Sequence, residues 1–393
     1  MRIGIDIRAI GRQRTGDETY TLQLVKAIAS EDKENKYFLY TDTKKKEEIA
    51  QIEKELNLKN DNFKIVSITP ANKLIWTFFL LPGQARRDDL DVLHVQYIAP
   101  FFLSGKIKLI TTIHDISFMR FPQFISFKDL FALRLLIPPS LKRADKIIAV
   151  SEFTKQELED FYKIDANKIQ VVYNGGVAPE FERDIDEKEV LKFREEYGIM
   201  KPYLLYLGTL QPRKNISFLI EVFVQLKLKR KEKIIEDLEL VIRGQRKGHN
   251  YDQRLESALK EVSQKHPDIY SQIKFVDYIS NERIPLIFKG AEAFCFPSRY
   301  EGFGLPLLES MSQGTPVVTG NSSCLPEIVA DAGLICREND YEDWLEKIFK
   351  VLTDKLLREK VVQKGYERVS DFSWRKNAQE TINLYKTFKN KNY

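Results

Sequence analysis

Cysteine and histidine are scarce in this chain of 393 residues, which holds three of the first (Cys295, Cys324, Cys336) and four of the second. The cysteines form no CxxC spacing, which argues against a disulfide framework and a cysteine-based zinc site and fits a reducing compartment. No unbroken apolar run reaches the roughly 18 residues that span a bilayer, and the opening MRIGIDIRAIG lacks the apolar core of a signal peptide. A cytoplasmic protein is therefore expected. Charge of one sign is lacking too: 62 Lys+Arg against 57 Asp+Glu leaves +5, with no dense basic block, so no nucleic-acid partner is expected. The lysine clusters at 44–46 and 227–233 lie in polar, helix-like surroundings and read as solvated helix faces.

The length exceeds what one core usually organises, and 43% hydrophobic with 30% charged residues is a globular balance, so two domains are expected. Apolar, β-branched runs at 2–7, 37–41, 63–68, 92–95, 108–113, 146–150 and 169–172 read as strands separated by helix-like segments, 19–29 among them. The second half repeats the pattern at 203–207, 238–242, 273–276, 293–296 and 316–319, and ends on three helices near 341–350, 355–369 and 374–389. Such alternation predicts mostly parallel sheets covered on both faces. Asn174-Gly175-Gly176 and the charged span 179–196 mark a boundary, giving domains at 1–180 and 181–370 with a final helical segment at 371–393.

One stretch, FCFPSRYEGFGLPLLESMSQG from Phe294 to Gly314, concentrates polar chemistry. A strand ends at Pro297, a loop carries Glu301, Gly302 and Gly304, and Pro306 suits the first positions of a helix. Backbone amides and the positive end of a helix dipole then meet at Gly304, Leu305 and Leu307, which forms an anion site. Glu301 and Glu309 bracket the turn, a pattern suited to a nucleotide diphosphate sugar, with an anion for the amides and hydroxyls for the carboxylates. The plainer alternative is a glutamate complementing the dipole and another in water. Upstream, GTLQPRKN places Gly208 and then Arg213-Lys214 at a strand end, where two cations could bear the growing charge of a leaving diphosphate.

Elsewhere Asp6 and His114-Asp115 stand at strand ends, the position where open parallel sheets bind ligands, while His94 lies inside a strand. The first loop carries Gly11 and Gly16 but no GxGxxG. Asp89-Leu90-Asp91 and Asp184-Ile185-Asp186 match the acidic DxD pattern of metal sites; one precedes a strand, the other lies in the charged span, and both read as structural. The apolar stretches 74–81 and 118–136, each with basic neighbours, read either as helices packed on the sheet or as a surface resting on a membrane.

The run FPSRYEGFGLPLLESMSQGTPVVTGNSSCLPEIVADAGLI resembles the donor-site signature of the family 4 retaining glycosyltransferases, with Glu301 to Glu309 as its EX7E motif. YLLYLGTLQPRKN, VSEFTKQEL, VVYNGG, ITTIHDISF and VDYIS are similar to further family stretches, in family order across nearly the whole chain. The resemblance implies the α/β GT-B fold: two Rossmann-like domains facing across a cleft, the last helix crossing back to the first. It implies acceptor binding by the N-terminal domain and nucleotide-sugar binding by the C-terminal one. Residue by residue, it implies that Glu309 holds the ribose hydroxyls and Glu301 the donor sugar hydroxyls. Amides around Phe303, Gly304 and Leu305 would touch sugar and phosphate, and Arg213 and Lys214 would stabilise the diphosphate. His114 would line the reaction centre, Gly208 would end the first donor-domain strand, and Gly16 would let the first loop approach the phosphates. No metal and no cofactor beyond the donor is implied.

The pattern is most similar to mannosyl-type members of polysaccharide assembly, which implies transfer of a hexose, mannose from GDP-mannose first, to a glycan or glycolipid hydroxyl. Two departures stand out. Thr209 replaces an arginine common in the family, and Asp17-Glu18-Thr19 replaces the usual GxGRYT of the first loop, adding negative charge that would weaken diphosphate binding unless those side chains point away. The rival readings are a nucleotide-sugar 2-epimerase on the same architecture and a catalytically silent nucleotide-sugar-binding subunit. A glycoside hydrolase would leave the anion site and the Arg-Lys pair without a use.

Overall fold

A computed structural model of the chain describes residues 1–12, 16–69, 72–246 and 250–389. It divides into two compact units, one of Met1–Pro122, Ser126–Gly175 and Phe372–Tyr393, the other of Gln123–Ile125 and Gly176–Asp371.

The first unit is built on seven strands: β1 (Arg2–Asp6), β2 (Lys36–Thr41), β3 (Phe63–Ser67), β4 (Val92–Gln96), β5 (Lys108–Ile113), β6 (Lys146–Ala149) and β7 (Ile169–Val171). All neighbours are parallel, in the order β3-β2-β1-β4-β5-β6-β7. Alternation along the strands feeds two cores. Ile3, Ile5, Leu39, Val92 and Ile110 pack with Tyr20, Leu24 and Ile28 of the helix Gly16–Glu31 and with Ala378, Ile382 and Tyr385 of the last helix, Trp374–Lys386. Phe38, Tyr40, Leu93, Val95 and Leu109 pack with Trp76, Leu81 and Ala85 in the second core. Gly4 belongs at the centre of β1 because a Cβ there would lie 2.5 Å from Leu90 and 2.6 Å from Tyr40. The last helix is capped by Ser373, whose hydroxyl accepts the Lys376 N–H, and Asn377 donates to the Tyr173 carbonyl at 2.7 Å.

The second unit holds β8 (Tyr203–Leu207), β9 (Glu239–Arg243), β10 (Ile273–Val276), β11 (Ala293–Phe296), β12 (Val317–Gly320) and β13 (Leu334–Cys336), parallel in the order β10-β9-β8-β11-β12-β13. The edge strand β13 is absent from the sequence reading. In both sheets the order reverses once, between β1 and β4 and between β8 and β11. Ligands of open parallel sheets bind at such points, outside the carboxyl ends of the strands.

Several sequence expectations change. Lys227, expected on a solvated face, is buried and donates to the carbonyls of Ile235 and Glu236, the latter at 2.8 Å. Its burial, with Lys201 nearby, pulls the ammonium down to about 8. In the 74–81 stretch Trp76, Phe78 and Leu81 are buried while Leu74, Ile75 and Phe79 face water, so packing on the sheet accounts for only part of it. The helix Phe127–Arg143 likewise leaves Phe127, Phe131 and Leu135 exposed. Both DxD patterns have local partners: Asp91 accepts the Arg2 N–H at 2.7 Å, and Asp186 caps the helix Glu187–Glu196. Among the described residues no helix is long and apolar enough to cross a membrane.

Candidate active site

The second unit gathers most of the polar chemistry at the carboxyl ends of β8, β9 and β11. Past β8 the chain bends at Gly208, at φ 154°, whose carbonyl lies so close to Gly244 that a Cβ there would approach it to 2.5 Å. One turn, Pro212–Lys214, then lifts Arg213 and Lys214, and Asn215 in the left-handed region swings the chain into the helix Ile216–Lys229. The loop after β11 is stapled to this turn by the Arg299 N–H, which donates to the Arg213 carbonyl at 2.8 Å. Arg213 Nη1 donates to the Tyr300 carbonyl at 2.8 Å and to Glu301 Oε2 at 3.2 Å, and Lys214 Nζ donates to Glu301 Oε1.

Glu301 and Lys214 are both buried. Burial pushes the Glu301 carboxyl toward its neutral form, but the charges of Lys214 and Arg213, with hydrogen bonds from Lys214 and Ser298, outweigh it and hold the group below the ordinary glutamate value. The Glu301 main chain is fixed as well, its N–H on Ser323 Oγ at 3.0 Å and its carbonyl receiving Cys324 Sγ at 3.2 Å. The sequence reading takes Arg213-Lys214 as a pair and Glu301 apart from it; the structure makes the three one cluster.

Gly304 then takes φ 94°, which a side chain would resist, and opens the helix Leu305–Ser312 with Pro306 in its first turn. The first amides of a helix have no intrahelical carbonyl to bind, so the chain around Phe303, Gly304 and Leu305 sits where anions are favoured. Glu309 stands on this helix. Burial and the neighbouring Glu180 push its carboxyl up to about 7, against the pull of Arg243. Arg243 ends β9 and is missing from the sequence reading. Its Nε is buried with no hydrogen-bond partner among the described residues, and burial lowers its basicity. The signal was an arginine closing the apolar run LVIRG.

In the first unit His114 follows β5 directly, its ring mostly buried. Its Nε2 lies 2.9 Å from Gln96 Oε1 at the end of β4 and 3.9 Å from Asp17 Oδ1. Tyr20 meets the ring edge-on at 4.7 Å, and Tyr97, at a positive φ of 55°, lies 5.6 Å away. Gln96 Nε2 donates to Thr21 Oγ1, which donates to the Asp17 carbonyl at 2.7 Å. His94 differs: its two nitrogens meet Tyr385 Oη and Thr112 Oγ1, each at 2.7 Å, and burial holds it neutral down to about 3. It ties the last helix to the sheet. Asp6 grips the Arg8 guanidinium, which stacks 3.7 Å from the Trp76 ring.

Gly16 starts its helix in the open, with nothing near a would-be Cβ, while residues 13–15 lie outside the described residues. The acidic pair beside it is split. Glu18 is buried and turns back to accept the Gly11 N–H at 2.7 Å, whereas Asp17 faces His114. Among the described residues no three His, Cys, Asp or Glu side chains converge as a metal site would require.

Two parallel-sheet units of this kind define the GT-B fold, and sucrose-phosphate synthase from Thermosynechococcus elongatus shares it, with a TM-score of 0.73 at 18% identity over 99% of both chains. The model described as Glycosyl transferases group 1 matches residues 187–368, and that of Glycosyltransferase Family 4 matches residues 14–176. The O-antigen chain mannosyltransferase B of Escherichia coli is 29% identical over 95% of this chain and 96% of its own. The O-antigen chain mannosyltransferase RfbU of Salmonella typhimurium is 25% identical over 60% of this chain and 59% of its own. With its second half matching the group 1 model and its first half the Family 4 model, the chain is a glycosyltransferase.

Proposed function

We propose that this glycosyltransferase moves a hexose, mannose from GDP-mannose first, onto a hydroxyl of a glycan or glycolipid during polysaccharide assembly, with retention of anomeric configuration and without a metal. The second unit binds the nucleotide sugar and the first binds the acceptor. The observation that carries this reading is the Arg213–Lys214–Glu301 cluster at the carboxyl ends of β8 and β11, next to the start of the helix Leu305–Ser312. Two cations and one carboxylate leave a net positive charge, already oriented, which suits a diphosphate whose charge grows as the glycosidic bond breaks. Positioned arginine and lysine then supply what a divalent ion would supply elsewhere. Glu301 offers acceptors to sugar hydroxyls and is not needed as a nucleophile, and Glu309 does the same for the ribose. The mannosyltransferase names of the two relatives support the choice of sugar.

A cytoplasmic location and rest on the membrane surface belong to the same proposal. Phe127, Phe131 and Leu135 recur every four residues on one exposed helix face, with exposed Lys128 and Arg134 beside them, a pattern suited to an anionic bilayer that presents a lipid-linked acceptor. Calorimetric titration with GDP, UDP and ADP, in EDTA and then in magnesium, tests the donor reading. GDP should bind in EDTA and lose affinity in Glu309→Ala; binding by none of the three would overturn it.

A further inference from the structure

We infer that Thr21 and Gln96 are positioning residues that fix the tautomer of His114, placing its proton on Nε2 and keeping Nδ1 as a lone-pair acceptor for a hydroxyl of the bound sugar. The inference rests on the proposed function and on the family resemblance, which implies that His114 lines the reaction centre.

The hydrogen-bond directions follow one from another. The Thr21 hydroxyl has one proton, and it is given to the Asp17 carbonyl one helical turn back, at 2.7 Å. Toward Gln96 it offers lone pairs alone, so the Gln96 amide nitrogen must face it. Gln96 Oε1 is thereby turned to His114 Nε2 at 2.9 Å, and an amide oxygen can only accept. Nε2 therefore carries the proton. Asp17 Oδ1, 3.9 Å from the same nitrogen, adds an independent preference, since a carboxylate repels a lone pair and attracts an N–H. Tyr20, anchored through its hydroxyl to Thr112 at 3.1 Å, holds the ring edge-on and limits its rotation. His94 is a contrast within the same sheet: both its nitrogens meet hydroxyls, which rotate to give or to take, so nothing dictates its tautomer.

A neutral His114 so held receives a hydrogen bond from a sugar hydroxyl and donates none to it. The reversed network, with Thr21 donating to Gln96 and Gln96 donating to Nε2, would make the ring a donor through Nδ1. It would also set the Nε2 lone pair against Asp17.

Two-bond proton–nitrogen correlation spectra of the full chain, labelled with 15N-histidine, decide between the two directions. The His114 signals are assigned by their loss in His114→Gln. A protonated Nε2 with a pyridine-type Nδ1 is expected, and the opposite pattern would overturn the relay. Thr21→Val keeps side-chain volume but removes the hydroxyl. It should let the amide turn, mix the two tautomers and lower kcat about tenfold with little change in donor KM, the size of one lost hydrogen bond. Gln96→Glu keeps an acceptor toward Nε2 and should retain the Nε2-protonated spectrum. If Thr21→Val and Gln96→Leu turn over like the wild type with an unchanged spectrum, the relay has no role. If the wild type binds no nucleotide, the transfer reading fails while the spectrum still reports on the relay.

Discussion

Glu301→Gln is the change that tests the donor cluster most directly. The Lys214 and Glu301 side chains are only 10% and 9% exposed, and Arg213 shares the same carboxylate. Breaking a buried pair by removing one partner costs about 3–5 kcal/mol, and the glutamine oxygen still accepts one hydrogen bond, so a loss near the lower end, about 3 kcal/mol, is expected. In a unit of this size that lowers the thermal midpoint by roughly 6–12 °C. Lys214→Met combined with Glu301→Gln should cost less than the sum of the two, by about 2 kcal/mol, because the second change removes a charge that the first has left unpaired. The sign with pH follows from the lowered carboxyl. Glu301 contributes stability above the ordinary glutamate value and loses it as pH falls through its lower folded value, so wild type and Glu301→Gln should converge in acid. Function should split from affinity: removing a negative charge should leave GDP bound at least as tightly, while sugar transfer is lost. Urea titrations followed by tryptophan fluorescence, with GDP calorimetry on the same samples, measure all of this. A loss below about 1 kcal/mol, or strict additivity of the two changes, would refute the reasoning.

Glu309 has its carboxyl pushed up to about 7, so a ribose held by the carboxylate should bind with release of a proton. GDP affinity should rise between pH 6 and 8 and then level off, and calorimetry in buffers of different ionisation enthalpy should count the proton, whereas a flat profile would argue against contact with the ionised form. His94 stays neutral in the fold down to about 3 but charges near 6.5 once unfolded. Its share of stability is therefore complete above 6.5 and is lost as pH falls toward 3, by up to about 1.4 kcal/mol per pH unit, and His94→Asn should flatten that slope in acid-dependent urea titrations. Replacing Phe127, Phe131 and Leu135 together by serine should abolish sedimentation with anionic vesicles while leaving the thermal midpoint within a degree or two, since these side chains face water. Equal sedimentation of wild type and triple variant would remove the membrane face from the proposal.

What was legible in the sequence is what lies close together in it. The β11 loop, the Gly304 turn, Pro306 and both glutamates fall between Ala293 and Ser312, so strand, turn and helix start could be read with their chemistry attached. The parallel sheets were legible for the same reason, since a strand buried on both faces is an apolar run of its own. The pairing of Glu301 with Arg213 and Lys214 was not, because it spans nearly ninety positions and depends on the Arg299 N–H reaching the Arg213 carbonyl. Lys227 defeated the reading in another way. A lysine among lysines looks solvated until the fold turns the carbonyls of Ile235 and Glu236 toward its ammonium.

The acidic loop shows how such non-local geometry changes the meaning of a motif. Asp17-Glu18, taken as letters, adds two negative charges beside a glycine expected near a diphosphate, and on that count alone it argues for weak donor binding. In the fold the two are neighbours on a helix and point to different tasks. Glu18 is buried and spends its carboxylate on the Gly11 N–H. Asp17 gives its main-chain carbonyl to Thr21 and its side chain to the space before His114 Nε2. Both ends of Asp17 thus act on one histidine, the carbonyl through Thr21 and Gln96 and the carboxylate directly. Under the relay inferred above, the departure of Asp17 from the family pattern sets a proton on His114 instead of only adding charge near a phosphate site.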